Sequence, residues 1–118
     1  MYGAVPRIGI QSCAMFIVRN SFTAKPGHAT KLAAMLADVA ATAGMPGYRV
    51  MTDVTGNFNS VVFEYQAESL GEFESRMQEY QSNPLFREKM AGYTDHWETG
   101  RREVFRVHAA AAAIATGK

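Results

Sequence analysis

Four side chains with catalytic potential stand among aromatic residues in this sequence. They are Asn20, Tyr65, His96 and Trp97. An imidazole or a phenol can transfer a proton, and a side-chain amide can donate a hydrogen bond to an oxyanion. The four residues match no catalytic motif, so their use depends on the secondary structure elements that position them.

A larger set of mostly aromatic residues can line a pocket for a planar ligand. Such pockets are mostly apolar with a few placed polar groups, for which Asn20, His96 and Arg106 are the candidates. The alternative is that the aromatic side chains fill the core. The predicted lining residues are Phe16, Tyr48, Phe63, Tyr80, Phe86, Tyr93 and Arg106.

Metal, thiol and phosphate chemistry have little support in the sequence. His28, His96 and His108 are far apart and have no Cys or carboxylate at ligand spacing. Cys13 has no neighbouring base, which a nucleophile would need. Gly44-Met45-Pro46-Gly47 leads into a strand and not into a phosphate-binding helix. The residues therefore predict no metal and no cofactor.

Composition indicates one domain of 118 residues, in which 12 Lys and Arg nearly balance 11 Asp and Glu. No basic stripe indicates nucleic acid binding. No apolar run approaches the ~20 residues of a membrane-spanning helix, and residues 1–11 lack the apolar core of a secretory signal. Because a lone cysteine cannot form an intrachain disulfide, the cytoplasm is the expected location.

The apolar patterns run in the order strand, helix, strand, strand, helix pair, strand. This order predicts an α+β, ferredoxin-like βαββαβ domain, with a four-stranded antiparallel sheet and helices on one face. The predicted strands are 15–22, 48–54, 60–66 and 103–108, and the helical stretches are 27–43 and 69–99. Residues 1–13 form a leader, 14–108 the domain and 109–118 an alanine-rich tail.

Proline, glycine and asparagine residues mark the predicted helix ends. Pro26 is expected in the first turn of the first helix, and Gly44 is expected to end it. Asn83 is a predicted cap, followed by Pro84 at the first helical position. An apolar stripe at helical spacing then predicts that this last helix continues to Gly100. The stripe consists of Phe86, Met90, Tyr93 and Trp97.

Strand alternation sorts the side chains onto two faces, of which the aromatic-rich one is predicted to lie under the helices. The other face mixes Ile17, Met51, Phe105 and Val107 with Arg19, Arg49, Asp53, Glu64 and Glu103. Exposed apolar residues and isolated buried charges are both costly. We therefore predict that a second copy of the chain covers this face, with its charges paired. A solvated face is the alternative.

Several segments resemble the dimeric α+β barrel superfamily. They are Thr23-Ala24-Lys25-Pro26-Gly27-His28, Pro46-Gly47-Tyr48, Asn83-Pro84-Leu85-Phe86 and Gly100-Arg101-Arg102-Glu103-Val104, together with 61–65 and 72–80. Over residues 14–108 the chain is most similar to NIPSNAP-type and antibiotic-biosynthesis-monooxygenase-type domains. The resemblance implies a homodimer whose two sheets close a barrel, with a pocket in each subunit between sheet and helices.

The resemblance implies an uncharacterised NIPSNAP-like protein with an apolar small-molecule pocket. The alternative is a cofactor-independent monooxygenase acting on an aromatic, polyketide-like substrate. In that enzyme Asn20, Tyr65, His96 and Trp97 would form the site, with Asn20 at the oxyanion and His96 or a tyrosine handling the proton. A second alternative is haem binding or degradation, because Asn20, His96 and Trp97 match that branch by residue type. Adjacent helical residues diverge by about 100°, however, which departs from the haem pattern.

Overall fold

The structure is a computed structural model and describes residues 15–111. The strands are β1 (Phe16–Ala24), β2 (Arg49–Thr52), β3 (Ser60–Ala67) and β4 (Trp97–Arg106), and the helices are α1 (Ala29–Ala43), α2 (Leu70–Ser82) and α3 (Pro84–Lys89). A 3-10 turn, Tyr93–His96, precedes β4. The predicted leader, residues 1–13, lies outside the described residues, as does the tail beyond residue 111. The α+β ferredoxin-like prediction is confirmed.

The four strands form one antiparallel sheet in the order β2-β3-β1-β4. In register, Val18 lies opposite Tyr65 on one side and Val104 on the other, and Asn20 lies between Phe63 and Arg102. Directly opposed residues of a sheet share a face. Residues from three strands therefore point toward the helices together, as the alternation predicts.

The core lies between this sheet face and the helices. α1 buries Leu32, Leu36 and Val39, which follow one another at intervals of four and three residues along a single helical face. They pack with Val18 and Val61 of the sheet. The prediction that the aromatic-rich face lies beneath the helices is confirmed. None of the helices within residues 15–111 is both long enough and apolar enough to cross a membrane.

Of the predictions for the two ends of α1, the one for the C-terminal end holds and the one for the N-terminal end does not. Pro26 does not begin the helix, because Gly27 has a φ of 85°, which no right-handed helical turn contains. His28 is instead the residue before the helix, and its side chain makes no capping hydrogen bond. The C-terminal prediction is confirmed, since Gly44 ends α1 in the left-handed conformation with a φ of 66°.

The predicted cap at Asn83 is confirmed. Its Oδ1 accepts hydrogen bonds from the backbone N–H groups of Leu85 at 2.9 Å and Phe86 at 3.3 Å. Pro84 occupies the first turn, where its missing N–H removes no helical bond. Asn83 therefore both separates α2 from α3 and begins α3.

Replacing Asn83 with alanine is expected to lower the free energy of unfolding by about 1 kcal/mol, because two N–H groups of α3 lose their acceptor. Urea denaturation followed by circular dichroism measures this difference. Asn83→Asp is the matched control, since a carboxylate can accept the same bonds and should leave the midpoint close to that of the wild type. An Asn83→Ala midpoint equal to the wild type would contradict the capping role.

The prediction that the last helix runs to Gly100 is wrong. α3 ends at Lys89, Gly92 adopts a φ of 82°, and β4 begins at Trp97, six residues before the predicted strand start. The reason is non-local, because β4 pairs with the whole of β1, an edge that a shorter strand would leave unpaired. The stripe residues still pack against the core, so burial explains their spacing without a continuous helix.

The opposite sheet face has a buried ionic cluster within one copy of the chain. Glu64 is 2% exposed and accepts hydrogen bonds from Arg19 Nε at 2.6 Å and Arg49 Nη2 at 2.7 Å. Burial raises the pKa of Glu64, but the hydrogen bonds and charges of the two arginines outweigh it and hold the pKa below its usual value. The prediction that charges on this face are paired is confirmed for Glu64, whose partners Arg19 and Arg49 belong to the same chain. Asp53 instead accepts from the backbone N–H of Ser60 at 2.9 Å.

Candidate functional site

A cavity of about 450 Å³ lies between the sheet and the helices. Its sheet wall contains Asn20, Phe22, Phe63, Tyr65 and Arg102, and the remaining lining residues are Leu36, Met45, Met77, Tyr80, Gln81, Phe86, Arg87, Met90 and Tyr93. The lining is therefore aromatic and thioether-rich, with polar groups on both the sheet side and the helix side. We call this space the central cavity.

Strand alternation and helical spacing build the walls of the central cavity. Asn20 and Phe22 are two positions apart on β1, as are Phe63 and Tyr65 on β3, so each pair points to the same face. Across the cavity, Met77 on α2 lies one turn before Tyr80 and Gln81. The site thus rests on regular elements, which hold side chains more firmly than loops do.

The structure brings some predicted residues to the cavity. Both Asn20 and Tyr65 line it, as do four of the predicted pocket residues, namely Phe63, Tyr80, Phe86 and Tyr93. Tyr80 and Phe86 stack with ring centroids 5.2 Å apart and an interplanar angle of 11°. Phe63 and Tyr65 are neighbours at 5.4 Å. The aromatic residues therefore form walls of the cavity and the core at once.

The Asn20 amide is held in one orientation. It is 6% exposed, its Oδ1 accepts from Arg102 Nε at 2.7 Å, and its Nδ2 donates to the Phe63 carbonyl at 3.4 Å. An amide nitrogen carries two hydrogens, and the second has no partner within residues 15–111. Asn20 can therefore donate one hydrogen bond to a group inside the cavity.

Tyr65 is a hydrogen-bond donor and a poor base. Burial raises its pKa to about 12, and the nearby Arg102 charge only partly opposes this. Its hydroxyl donates to Met77 Sδ at 3.4 Å. Near neutral pH the phenol is protonated, so Tyr65 does not supply a phenolate, and it donates to a ligand oxygen only by giving up its bond to Met77 Sδ.

His96 does not line the central cavity. It ends the 3-10 turn, and its Nδ1 lies 3.0 Å from Nδ1 of His28, so that one ring donates and the other accepts. The extended-helix prediction had placed His96 beside the apolar stripe, whereas the turn directs it to the start of α1. In the part of the chain that the structure describes, no three His, Cys, Asp or Glu residues form a group that could hold a metal ion.

Trp97 also lies outside the cavity lining. As the first residue of β4 it packs against the Phe22 ring, with centroids 5.2 Å apart, and against Tyr93 at 5.9 Å. Trp97 thus supports cavity walls from behind. Because the strand begins earlier than predicted, the four catalytic candidates are not brought together.

Three predicted pocket residues lie outside the cavity lining. Phe16 and Arg106 are paired in register at one end of β1 and β4, with the guanidinium 5.0 Å from the Phe16 ring centroid. Tyr48 precedes β2 and is 40% exposed. The alternation placed Phe16 and Arg106 on the correct face, but the cavity occupies only part of that face.

Arg102 and Arg87 are the charged cavity residues that the sequence analysis missed. Arg102 has the same parity as Val104 and Arg106 on β4, which places it on the helix-covered face. Strand parity could therefore have identified Arg102, but the helix was predicted to reach Gly100 and the strand to begin only at residue 103. Arg87 lies on α3 and has no comparable local signal.

The residues predicted to bind haem are not brought together in the central cavity. The histidine that would act as axial ligand, His96, pairs with His28 outside the lining, and none of the lining residues is a histidine. Tyrosine and thioether groups are present, but Tyr65 is bonded to Met77 and has a raised pKa, which disfavours the phenolate that iron would require.

The sheet, its helices and the cavity define an α+β ferredoxin-like domain. No protein family model matches the sequence, and no curated protein is significantly similar to it. The similarity to known proteins is therefore structural.

Solved structures with this fold include two NIPSNAP proteins. A NIPSNAP family protein from Agrobacterium tumefaciens has a TM-score of 0.66 at 13% identity, with 78% of this chain and 84% of that chain covered. An uncharacterised NIPSNAP-like domain protein from Burkholderia xenovorans has a TM-score of 0.66 at 15% identity, over 79% and 84% of the two chains.

A third match is a Chloroflexus aurantiacus protein provisionally assigned as an antibiotic biosynthesis monooxygenase. It has a TM-score of 0.57 at 18% identity and covers 76% of this chain and 91% of that chain. At these identities the likeness establishes a shared fold, and fold alone does not determine chemistry. The predicted structural resemblance is confirmed.

Proposed function

We propose that this protein is a NIPSNAP-like homodimer that binds a small, largely apolar molecule in the central cavity. The observation that carries the proposal is the cavity itself, about 450 Å³ in volume and lined mainly by aromatic and thioether side chains. Ligand pockets are commonly apolar cavities of about 300–1,000 Å³ with a few convergent polar groups. Here Asn20, Tyr65 and Arg102 supply those groups on one wall.

The homodimer is supported by the opposite sheet face. Phe105 is 43% exposed and Met51 37% exposed on that face, beside the Glu64 cluster. A sheet with one exposed apolar face is commonly covered by another element. A second copy placed there would bury these side chains without obstructing the central cavity on the helix side. The cytoplasmic location remains a prediction from the single cysteine.

The binding proposal predicts that the wild-type protein binds the neutral fluorophore N-phenyl-1-naphthylamine with increased emission, because the probe enters an apolar site. Met90→Trp places a larger ring at the cavity wall and should weaken binding about tenfold or more, since overfilling a packed site typically costs 1–3 kcal/mol. Titration of probe emission, excited beyond tryptophan absorption, measures both affinities.

Leu70→Trp is the matched control, because Leu70 is 56% exposed at the start of α2 and does not line the cavity. Its affinity for the probe should equal that of the wild type. Circular dichroism establishes that each variant is folded. Absence of probe binding to the wild type, or equal binding by Met90→Trp and the wild type, would refute the cavity as a ligand site.

A cofactor-independent monooxygenase is the second candidate, favoured by the unshared N–H of Asn20 beside the protonated hydroxyl of Tyr65. These donors can stabilise an oxyanion on a bound substrate. Neither Tyr65 nor His96 is placed to remove a substrate proton, so a substrate that ionises unaided is required. Oxygen consumption with a hydroxylated polycyclic substrate, and its loss in Asn20→Ala, would distinguish this enzyme from a binding protein.

A further inference from the structure

We propose that the central cavity binds a carboxylate with an apolar, ring-containing body, and that Arg102 receives the carboxylate group. This proposal rests on the proposed ligand-binding function and specifies the class of ligand. The first reason is charge. The lining contains two arginines, Arg87 and Arg102, and no aspartate or glutamate. Within residues 15–111 neither arginine forms a salt bridge.

Arg102 is positioned by its neighbours and not merely present. Its Nε donates to Asn20 Oδ1 at 2.7 Å, and the guanidinium lies 5.7 Å from the ring centroid of Phe73 on α2. These contacts fix the plane of the group between the sheet and the helix. A guanidinium has five N–H donors, and the described residues provide an acceptor only for the one at Nε.

The remaining donors suit a carboxylate. A guanidinium binds a carboxylate through two parallel N–H···O bonds, which fix both distance and plane. The unshared N–H of Asn20 on the same wall can donate to an oxygen of the same ligand, and the Tyr65 hydroxyl can do so in exchange for its bond to Met77 Sδ. The polar wall therefore consists of donors, which favour an acidic ligand over a basic one.

The rest of the cavity suits the body of such a ligand. The parallel rings of Tyr80 and Phe86, together with Phe63 and Tyr93, offer flat apolar surfaces. Met77 and Met90 can adjust around an irregular outline, because thioether side chains are flexible and polarisable. An aromatic or alicyclic carboxylate places its ring against these walls and its charge at Arg102.

The test compares two probes of equal shape, 2-naphthoate and its neutral amide 2-naphthamide, by direct calorimetric titration and by displacement of N-phenyl-1-naphthylamine. Wild-type protein should bind the acid about ten- to a hundredfold more tightly than the amide, the factor expected for charged hydrogen bonds. In Arg102→Met this preference should disappear, because the acid loses far more affinity than the amide does. Arg102→Lys, which keeps the charge and loses the planar fork, should retain a reduced preference.

Arg87→Met is the matched control, since it removes the same charge from the cavity lining at an arginine that makes no side-chain hydrogen bond within residues 15–111. Arg87→Met should retain most of the preference for 2-naphthoate over 2-naphthamide. Equal binding of acid and amide by the wild type overturns the carboxylate proposal and leaves the ligand-binding function standing. Failure of all three probes overturns both. Loss of the preference in Arg87→Met but not in Arg102→Met overturns the assignment to Arg102.

Discussion

Glu64→Leu should lower the free energy of unfolding by about 3 kcal/mol, because it leaves two guanidiniums without their shared carboxylate on a face that a second copy would cover. Glu64 is 2% exposed, whereas the side chains of Arg19 and Arg49 are 41% and 65% exposed in the single chain. In an isolated protomer the stranded arginines would turn into water, and the loss would be about 1 kcal/mol. The size of the effect therefore depends on whether the face is covered.

Urea denaturation of the variant and the wild type at equal protein concentration measures this difference. Asp38→Leu is the matched control, because it removes the exposed pair of Asp38 with Lys89, 2.8 Å apart, and should cost at most about 1 kcal/mol. Equal midpoints for Glu64→Leu and the wild type would mean that the charged face is solvated and the ion pairs contribute little.

The pH dependence of the same variant follows from the lowered pKa of Glu64. A carboxyl whose pKa is lower in the folded than in the unfolded state contributes its full stabilisation above the unfolded pKa. That contribution disappears as the pH falls through the folded pKa. The stability difference between the wild type and Glu64→Leu should therefore be largest near neutral pH and decrease in acid.

The sequence predicts the sheet faces well because alternation is a local signal. Asn20, Phe63 and Tyr65 reach the cavity by strand parity alone, once the strands are placed. The helix end at Gly44 and the cap at Asn83 are likewise encoded by single residues with strong conformational preferences. These parts of the fold and of the candidate site needed no tertiary information.

The segment from Met90 to Trp97 could not be predicted in the same way. Its apolar spacing fits a helix, but the positive φ of Gly92 ends the helical conformation, and β1 requires a long partner strand. Strand pairing between residues distant in sequence overrides local propensity here. The contact of His28 with His96 joins positions 68 apart and has no local signal at all. Because this segment was wrongly predicted as helix, His96 and Trp97 were expected beside Asn20 and Tyr65, whereas the structure places them elsewhere.

The cavity and the ionic cluster lie on opposite faces of one sheet. This arrangement would separate the proposed ligand binding from the proposed assembly. Asn20 on β1 points to the cavity, and its neighbour Arg19 points to Glu64. Successive side chains of a strand point to opposite faces, so neighbouring residues contribute to different surfaces. Substitutions on the cluster side should therefore alter assembly and stability, and those on the cavity side should alter ligand affinity.

Phe105→Asp is accordingly expected to convert the proposed dimer into monomers. Phe105 lies opposite Ile17 in the register, is 43% exposed, and has the Arg19 guanidinium 5.2 Å from its ring centroid. In the proposed interface the substitution removes a buried ring and adds a carboxylate whose nearest arginine already serves Glu64. A loss of about 3 kcal/mol would weaken the dimer more than a hundredfold.

Light scattering should give about twice the chain mass of 13.0 kDa for the wild type at micromolar concentration and a single chain mass for Phe105→Asp. The matched control is Leu70→Asp, an equally drastic change at a 56% exposed residue at the start of α2, which should remain dimeric. Phe105→Asp should also keep its affinity for N-phenyl-1-naphthylamine, because the cavity belongs to one protomer. A monomeric wild type would remove the proposed role of this sheet face, whereas the cavity proposal would be unaffected.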